Sequence, residues 1–97
     1  MARETAASCL LFVRVCQLKI SGKNVSDLID HIQSLSLEYQ QASGRSIDDD
    51  ALKAILINQA FPIPEYHVVI KDLTEKGQLT DYYTLASALQ NRWKQIR

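Results

Sequence analysis

Apolar and polar positions alternate along this chain with a helical period in five segments. No segment reads as a strand once length is weighed. The stretch that organises the rest is residues 46–66, SIDDDALKAILINQAFPIPEY. Ile47, Ala51, Leu52, Ile55, Leu56 and Ala60 recur at the spacing of one buried helix face. Ser46 is placed to cap that helix, and Asp49 stands three residues later like the acid of a capping box. Asp48, Asp49 and Asp50 set negative charge on the positive pole. Phe61-Pro62-Ile63-Pro64 then stops the helix, and Pro64 suits the first turn of a new one. A short helix, a proline corner and a second helix make a rigid elbow. The remaining helices are expected to pack around it.

Residues 5–20 carry two apolar stripes, Ala7-Leu11-Val15-Leu18 and Cys9-Val13-Cys16-Ile20, with Arg14 and Gln17 on a narrow wet side. A helix this greasy is expected either at the centre of the core or shared with another chain. Phe12, Val13 and Val15 also suit a short strand; length and period favour the helix. Ser21-Gly22-Lys23-Asn24 is a turn, with Gly22 read as a helix stop and Asn24 as the next cap. Residues 25–42 hold the cleanest period, through Val25, Leu28, Ile29, Ile32, Leu35, Tyr39 and Ala42. After the elbow, residues 64–76 turn Val69, Ile70 and Leu73 inward and stop at Gly77. A last helix over 81–96, begun after Thr80, buries Tyr82, Leu85, Ala86, Leu89, Trp93 and Ile96. The expected fold class is therefore all-α, a compact bundle of about five short helices in one domain spanning 1–97.

Composition narrows the function classes. Eleven basic and eleven acidic residues balance, so no strong field draws the chain to nucleic acid or to an anionic membrane. The longest apolar run, residues 9–13, is far too short to span a bilayer, and a signal-peptide layout is not recognised. Cys9 and Cys16 sit seven residues apart on one helix, about 10 Å along its axis, too far to join within the chain. Reduced thiols in a cytosolic or nuclear setting are expected, with a bridge between chains as the lesser alternative.

Catalytic chemistry finds little support. Cys9, Cys16, His31 and His67 form no metal-ligand spacing. Consecutive aspartates on a helix point about 100° apart, so Asp48–Asp50 cannot converge on one ion. There is no glycine-rich phosphate loop, and no set of residues supplies an acid, a base and an anion hole. Neither a cofactor nor a small-molecule substrate is expected. Arg92, Lys94 and Arg97 at the end of the last helix suit its dipole, with a weak RNA contact as the functional alternative. Leu37, Ile57, Val68 and Tyr83 fall off their helices' stripes. Together with Leu11 and Val15 on the first helix, they are the candidate oligomer contacts.

The order GKNVSDLIDHIQSLSLEY, IDDDALKAILINQAFPIPEY, VVIKDL, LTDYYTLASAL resembles the Gag polyprotein of copia-type LTR retrotransposons, in the C-terminal lobe of its capsid region. The resemblance covers roughly residues 10–93. It rests on Gly22, Val25, Ile29, Ile32 and Leu35, then on Ile47, Asp48–Asp50, Ile55, Leu56, Phe61, Pro62 and Tyr66, and finally on Leu79, Thr80, Leu85 and Leu89. Phe61 stands where the family usually has leucine, and one extra residue separates Pro62 from Tyr66. Residues 22–35 also look like a reduced form of the homology region of retroviral capsid C-terminal lobes.

The resemblance implies a capsid C-terminal-lobe-like bundle that self-associates, a homodimer, and a partner of full-length Gag in a cytoplasmic virus-like particle. RNA would be engaged weakly or through segments absent here. With no N-terminal lobe, CCHC knuckle, protease motif or basic tail in the sequence, the implied states are an isolated lobe, an excised fragment or a host-captured Gag remnant. Such a lobe is expected to join and interfere with a full-length lattice. The rival readings are a helical adaptor that takes a partner helix in a groove and a small nucleic-acid-binding helical domain.

Overall fold

The computed structural model describes residues 6–97. It contains α1 (Ala6–Gln17), α2 (Val25–Ser43), α3 (Asp49–Ala60), α4 (Pro64–Glu75) and α5 (Tyr82–Ile96), with no strand among the described residues beyond an isolated Ser21–Asn24 bridge. The chain is all-helical, as its periodicity predicts. Residue 5, the expected start of α1, lies outside the described residues.

The helix ends show where local signals prevailed and where packing overrode them. Asn24 caps α2 as expected, its side-chain oxygen accepting from the Asp27 N–H at 3.0 Å. The proline corner also behaves as read. The Ile63 N–H donates to the Ala60 carbonyl at 3.0 Å, and Pro64 opens α4 at its first position. At the far end of α4 the Gln78 N–H reaches the Leu73 carbonyl at 2.8 Å and the Gly77 N–H the Thr74 carbonyl at 3.2 Å. This paired closure needs the left-handed backbone that Gly77 adopts at φ 66°.

Packing shifts three boundaries, while α2 and α4 end within one residue of expectation, at Ser43 and Glu75. Helix α1 stops at Gln17 rather than at residue 20. Leu18 and Ile20 leave it to pack against the main core, and the Ile20 N–H is taken by Gln59 Oε1 at 3.1 Å. Gly22 therefore sits in the turn before α2 and does not end α1. Helix α3 begins at Asp49, with Asp48 as its N-cap and no side-chain capping bond, so the Ser46 capping box does not form. Ile47 is buried beside Val15 and Tyr39, and that burial holds the chain out of the helix at this point. Asp49 instead serves another helix, accepting the Tyr82 N–H at 3.1 Å at the start of α5. Helix α5 is capped by Asp81, which accepts from the Thr84 N–H at 2.8 Å, and not by Thr80.

Helix α2 runs through the middle of the molecule. It meets α1 on one side and α5 and α3 on the other, while α4 packs on α5 and α3. The main core collects Val25, Leu28, Ile29 and Ile32 of α2, Leu56 and Ala60 of α3, Tyr66, Ile70 and Leu73 of α4, and Tyr82, Leu85, Ala86 and Leu89 of α5. A smaller cluster, Val15, Tyr39 and Ile47, holds α1 in place. Leu52 and Ile55 of α3 touch both clusters and so join them. Helix α1 is thus peripheral, not central. The inner line of α2 ends on Ser43, whose hydroxyl donates to the Tyr39 carbonyl at 2.8 Å, while Ala42 is exposed.

Tyr66 ties the elbow to the rest. Its side chain is fully buried and its hydroxyl donates to the Lys23 carbonyl, in the turn that starts α2. The Lys23 ammonium in turn pairs with the Glu65 carboxylate on α4. Replacing Tyr66 by Phe keeps the ring but removes that bond, leaving the Lys23 carbonyl to the Val25 N–H at 2.9 Å. The expected cost is about 0.5–1.5 kcal/mol in urea unfolding, with unchanged m-value.

The carboxyls of Glu65 and Asp81 are both held below their ordinary values, Glu65 chiefly by the Lys23 hydrogen bond and Asp81 chiefly by the Thr84 side chain. A depressed folded-state pKa contributes stability above the unfolded value and loses it as the group protonates in the native state. Unfolding free energy is therefore expected to be flat above about pH 5 and to fall toward about pH 3. In a Glu65→Gln, Asp81→Asn double variant, the slope in that window should be shallower.

Candidate functional site

Once the core is closed, the apolar side chains left outside define the sites available for function. Leu10, Phe12 and Val13 on α1, Leu37 on α2, Phe61 at the corner, Val68 on α4 and Tyr83 on α5 are all exposed. The largest concentration is on α1. Its line Ser8-Leu11-Val15 faces α2, while Cys9, Leu10, Phe12, Val13 and Cys16 face outward. Phe12 lies at the edge of that outer face, its ring meeting Tyr39 edge-on at 5.7 Å and 62°.

The residues expected at an oligomer contact are scattered by the fold. Val15 is 0% exposed and belongs to the core, because the first apolar stripe of α1 is the one that α2 covers. Leu11 is half-buried against the same cluster. Ile57 is half-buried against the main core, so it is not a misfit on its helix. Val68 is exposed on α4 and lines a separate shallow depression with Val69, Asp72, Leu73, Ala88, Arg92 and Gln95. Leu37 and Tyr83 do come together: with Ile32, Gln33, Ser36, Gln40, Leu52 and Tyr82 they line a shallow depression of about 210 Å³ between α2, α3 and α5. Burial pushes the Tyr82 phenol there up to about 12, with Asp30 and Tyr83 adding to the shift.

The outer face of α1 is legible in the sequence as a second apolar stripe, Cys9-Val13-Cys16-Ile20, whose destination, the core or another chain, the sequence leaves open. Only Ile20 turns toward the core, after the helix has ended. The phase of a stripe says that two faces are apolar. It does not say which face the rest of the chain can reach.

The cations of α5 divide between two sides of the helix, Arg92 on one and Lys94 with Arg97 on the other. Arg92 is half-buried against α4, its Nη1 donating to Gln95 Oε1 at 3.2 Å, and its charge helps lower the Glu65 carboxyl. Lys94 lies about 160° around the helix from Arg92 and is exposed, as is Arg97.

The acidic run diverges as its spacing predicts, Asp49 toward Tyr82 and Asp50 toward Lys53 at 3.2 Å. His31 pairs with Asp27 at 3.8 Å, and His67 packs on Phe61 at 4.2 Å between ring centres. No group of three His, Cys, Asp or Glu among the described residues is placed to hold a metal ion. No helix among them is long and apolar enough to cross a membrane.

Comparison with protein-family models, with curated proteins and with solved structures finds no match. The functional reading therefore rests on the residues, the fold and the sequence resemblance.

The division of α1 into a core line and an outer face has a direct check. Val15→Ala should cost about 1.5–3 kcal/mol of stability. Val13→Ser, two residues away, should change it by less than about 0.5 kcal/mol. Equal losses at both positions, measured by denaturant unfolding, would contradict the assignment.

Proposed function

We propose that this chain is a structural self-association module of the capsid type, homodimeric, with no catalytic role of its own. The observation that carries the reading is the apolar outer face of α1, left uncovered by a core that is otherwise closed. Covering such a face removes apolar surface from water and so favours association with another surface. Balanced charge favours a protein partner over nucleic acid. The resemblance to the capsid C-terminal lobe of copia-type Gag supplies the context: a second copy and full-length Gag as partners, in a cytoplasmic virus-like particle. A bundle of this kind joins a lattice through one surface and lacks the others needed to extend it, so in excess it interferes with assembly.

The depression between Leu37 and Tyr83 favours a second reading, an adaptor that receives a partner's amphipathic helix. Sedimentation velocity over a concentration series separates the two. A self-association module shifts from monomer toward dimer as concentration rises, and adding the chain to assembling full-length Gag lowers particle number. A strict monomer at every concentration, with particle number unchanged, would leave the adaptor.

A further inference from the structure

On the outer face of α1, Cys9, Phe12, Val13 and Cys16 are spaced three, one and three residues apart, a spacing that reads the same in either chain direction. Both cysteines are exposed, and Phe12 and Val13 are 37% and 44% exposed. At about 100° per residue all four fall within an arc of about 100°, with Cys9 and Cys16 nearly in line. No charged residue lies in that arc; Arg14 projects elsewhere. A two-fold axis through the point midway between Phe12 and Val13 therefore lays this face on its own copy with apolar against apolar and Cys9 against Cys16. Such self-complementarity is the requirement for a closed dimer.

Direction follows from charge. Two helices packed antiparallel set the positive pole of each beside the negative pole of the other, whereas a parallel pair confronts like poles. Helix α1 has twelve residues, about 18 Å of length. One face of it offers on the order of 300–400 Å² per copy, below the ~800 Å² per partner of a standard stable interface. The non-covalent pair is accordingly weak, and a covalent link across it would decide its lifetime.

We propose that the outer faces of two α1 helices pair antiparallel, and that Cys9 of each copy joins Cys16 of the other when a small-molecule disulfide is present. The pairing rests on the self-association reading above and names its surface. Each cysteine lies about 5 Å from the midpoint along its axis. At helix separations of 8–10 Å, facing Cα atoms come within roughly 4–6 Å, inside the range a disulfide spans. The chemistry is thiol–disulfide exchange. The Cys9 thiolate attacks oxidised glutathione and releases one glutathione. The Cys16 thiolate of the second copy then attacks the Cys9 sulfur of the mixed disulfide and releases the other. Each bridge takes two protein thiols and one oxidised glutathione to one protein disulfide and two reduced glutathiones, which carry the electrons and the two protons.

Single-cysteine variants of the full chain test the geometry. Cys9→Ser and Cys16→Ser both alter exposed positions, and circular dichroism checks that each stays helical. Each variant is treated with oxidised glutathione alone and in an equal mixture, and covalent dimer is read by non-reducing electrophoresis and mass. The mixture is expected to give several-fold more dimer than either variant alone, joined through Cys9 and Cys16. Adding Val13→Asp to both should abolish that excess. Dimer formed as readily by either variant alone would overturn the antiparallel pairing. Absence of cross-linking at concentrations where sedimentation shows a dimer would overturn this surface and leave self-association through another one standing. Absence of cross-linking from a chain that sediments only as a monomer would remove both.

Discussion

The fold depends on burying one aromatic ring at a corner. Phe61-Pro62-Ile63-Pro64 turns the chain sharply, and Tyr66, in the first turn after it, is driven fully into the core. The hydroxyl of the buried Tyr66 donates to the Lys23 carbonyl, more than forty residues earlier in the chain. That bond, with the Lys23–Glu65 ion pair beside it, fixes the turn before α2 against the start of α4. Once those two points are tied, the apolar line of α2 is presented to α3, α4 and α5 together, and the main core closes around it.

What the core leaves out follows from the same geometry. Helices α2 to α5 satisfy one another, and α1 is attached through a smaller cluster against the far end of α2. A peripheral helix needs only one apolar line to be held. This one carries two, and nothing among the described residues covers the second. The fold does not depend on covering that face, and the face is already formed before anything binds it. Such an arrangement allows weak, reversible contacts, because little ordering is needed on association.

Much of this architecture was legible beforehand. The period of α2, the proline corner and the glycine at the end of α4 are local signals, and each formed as read. The misreadings share one cause. Asp49 and Ser46 look like a capping box, yet the buried Ile47 pulls that segment out of helix and Asp49 turns to the start of α5. Ile57 looks like a misfit and Val15 like a candidate for contact, yet both find neighbours in the fold. In each case a residue's role depends on a partner far away in sequence, which periodicity does not encode. The cations of α5 divide for a simpler reason: Arg92 lies about 160° around the helix from Lys94, which shares its side with Arg97 three residues on.

The central claim is that the outer face of α1 is meant to be covered by a second copy. Hydrogen–deuterium exchange measured at low and high protein concentration tests it most directly. Amides of residues 6–17 should exchange more slowly as concentration rises, while those of α4 and α5 keep the same rates. Exchange in α1 that does not respond to concentration, or protection that appears on α4 and α5 instead, would contradict the account.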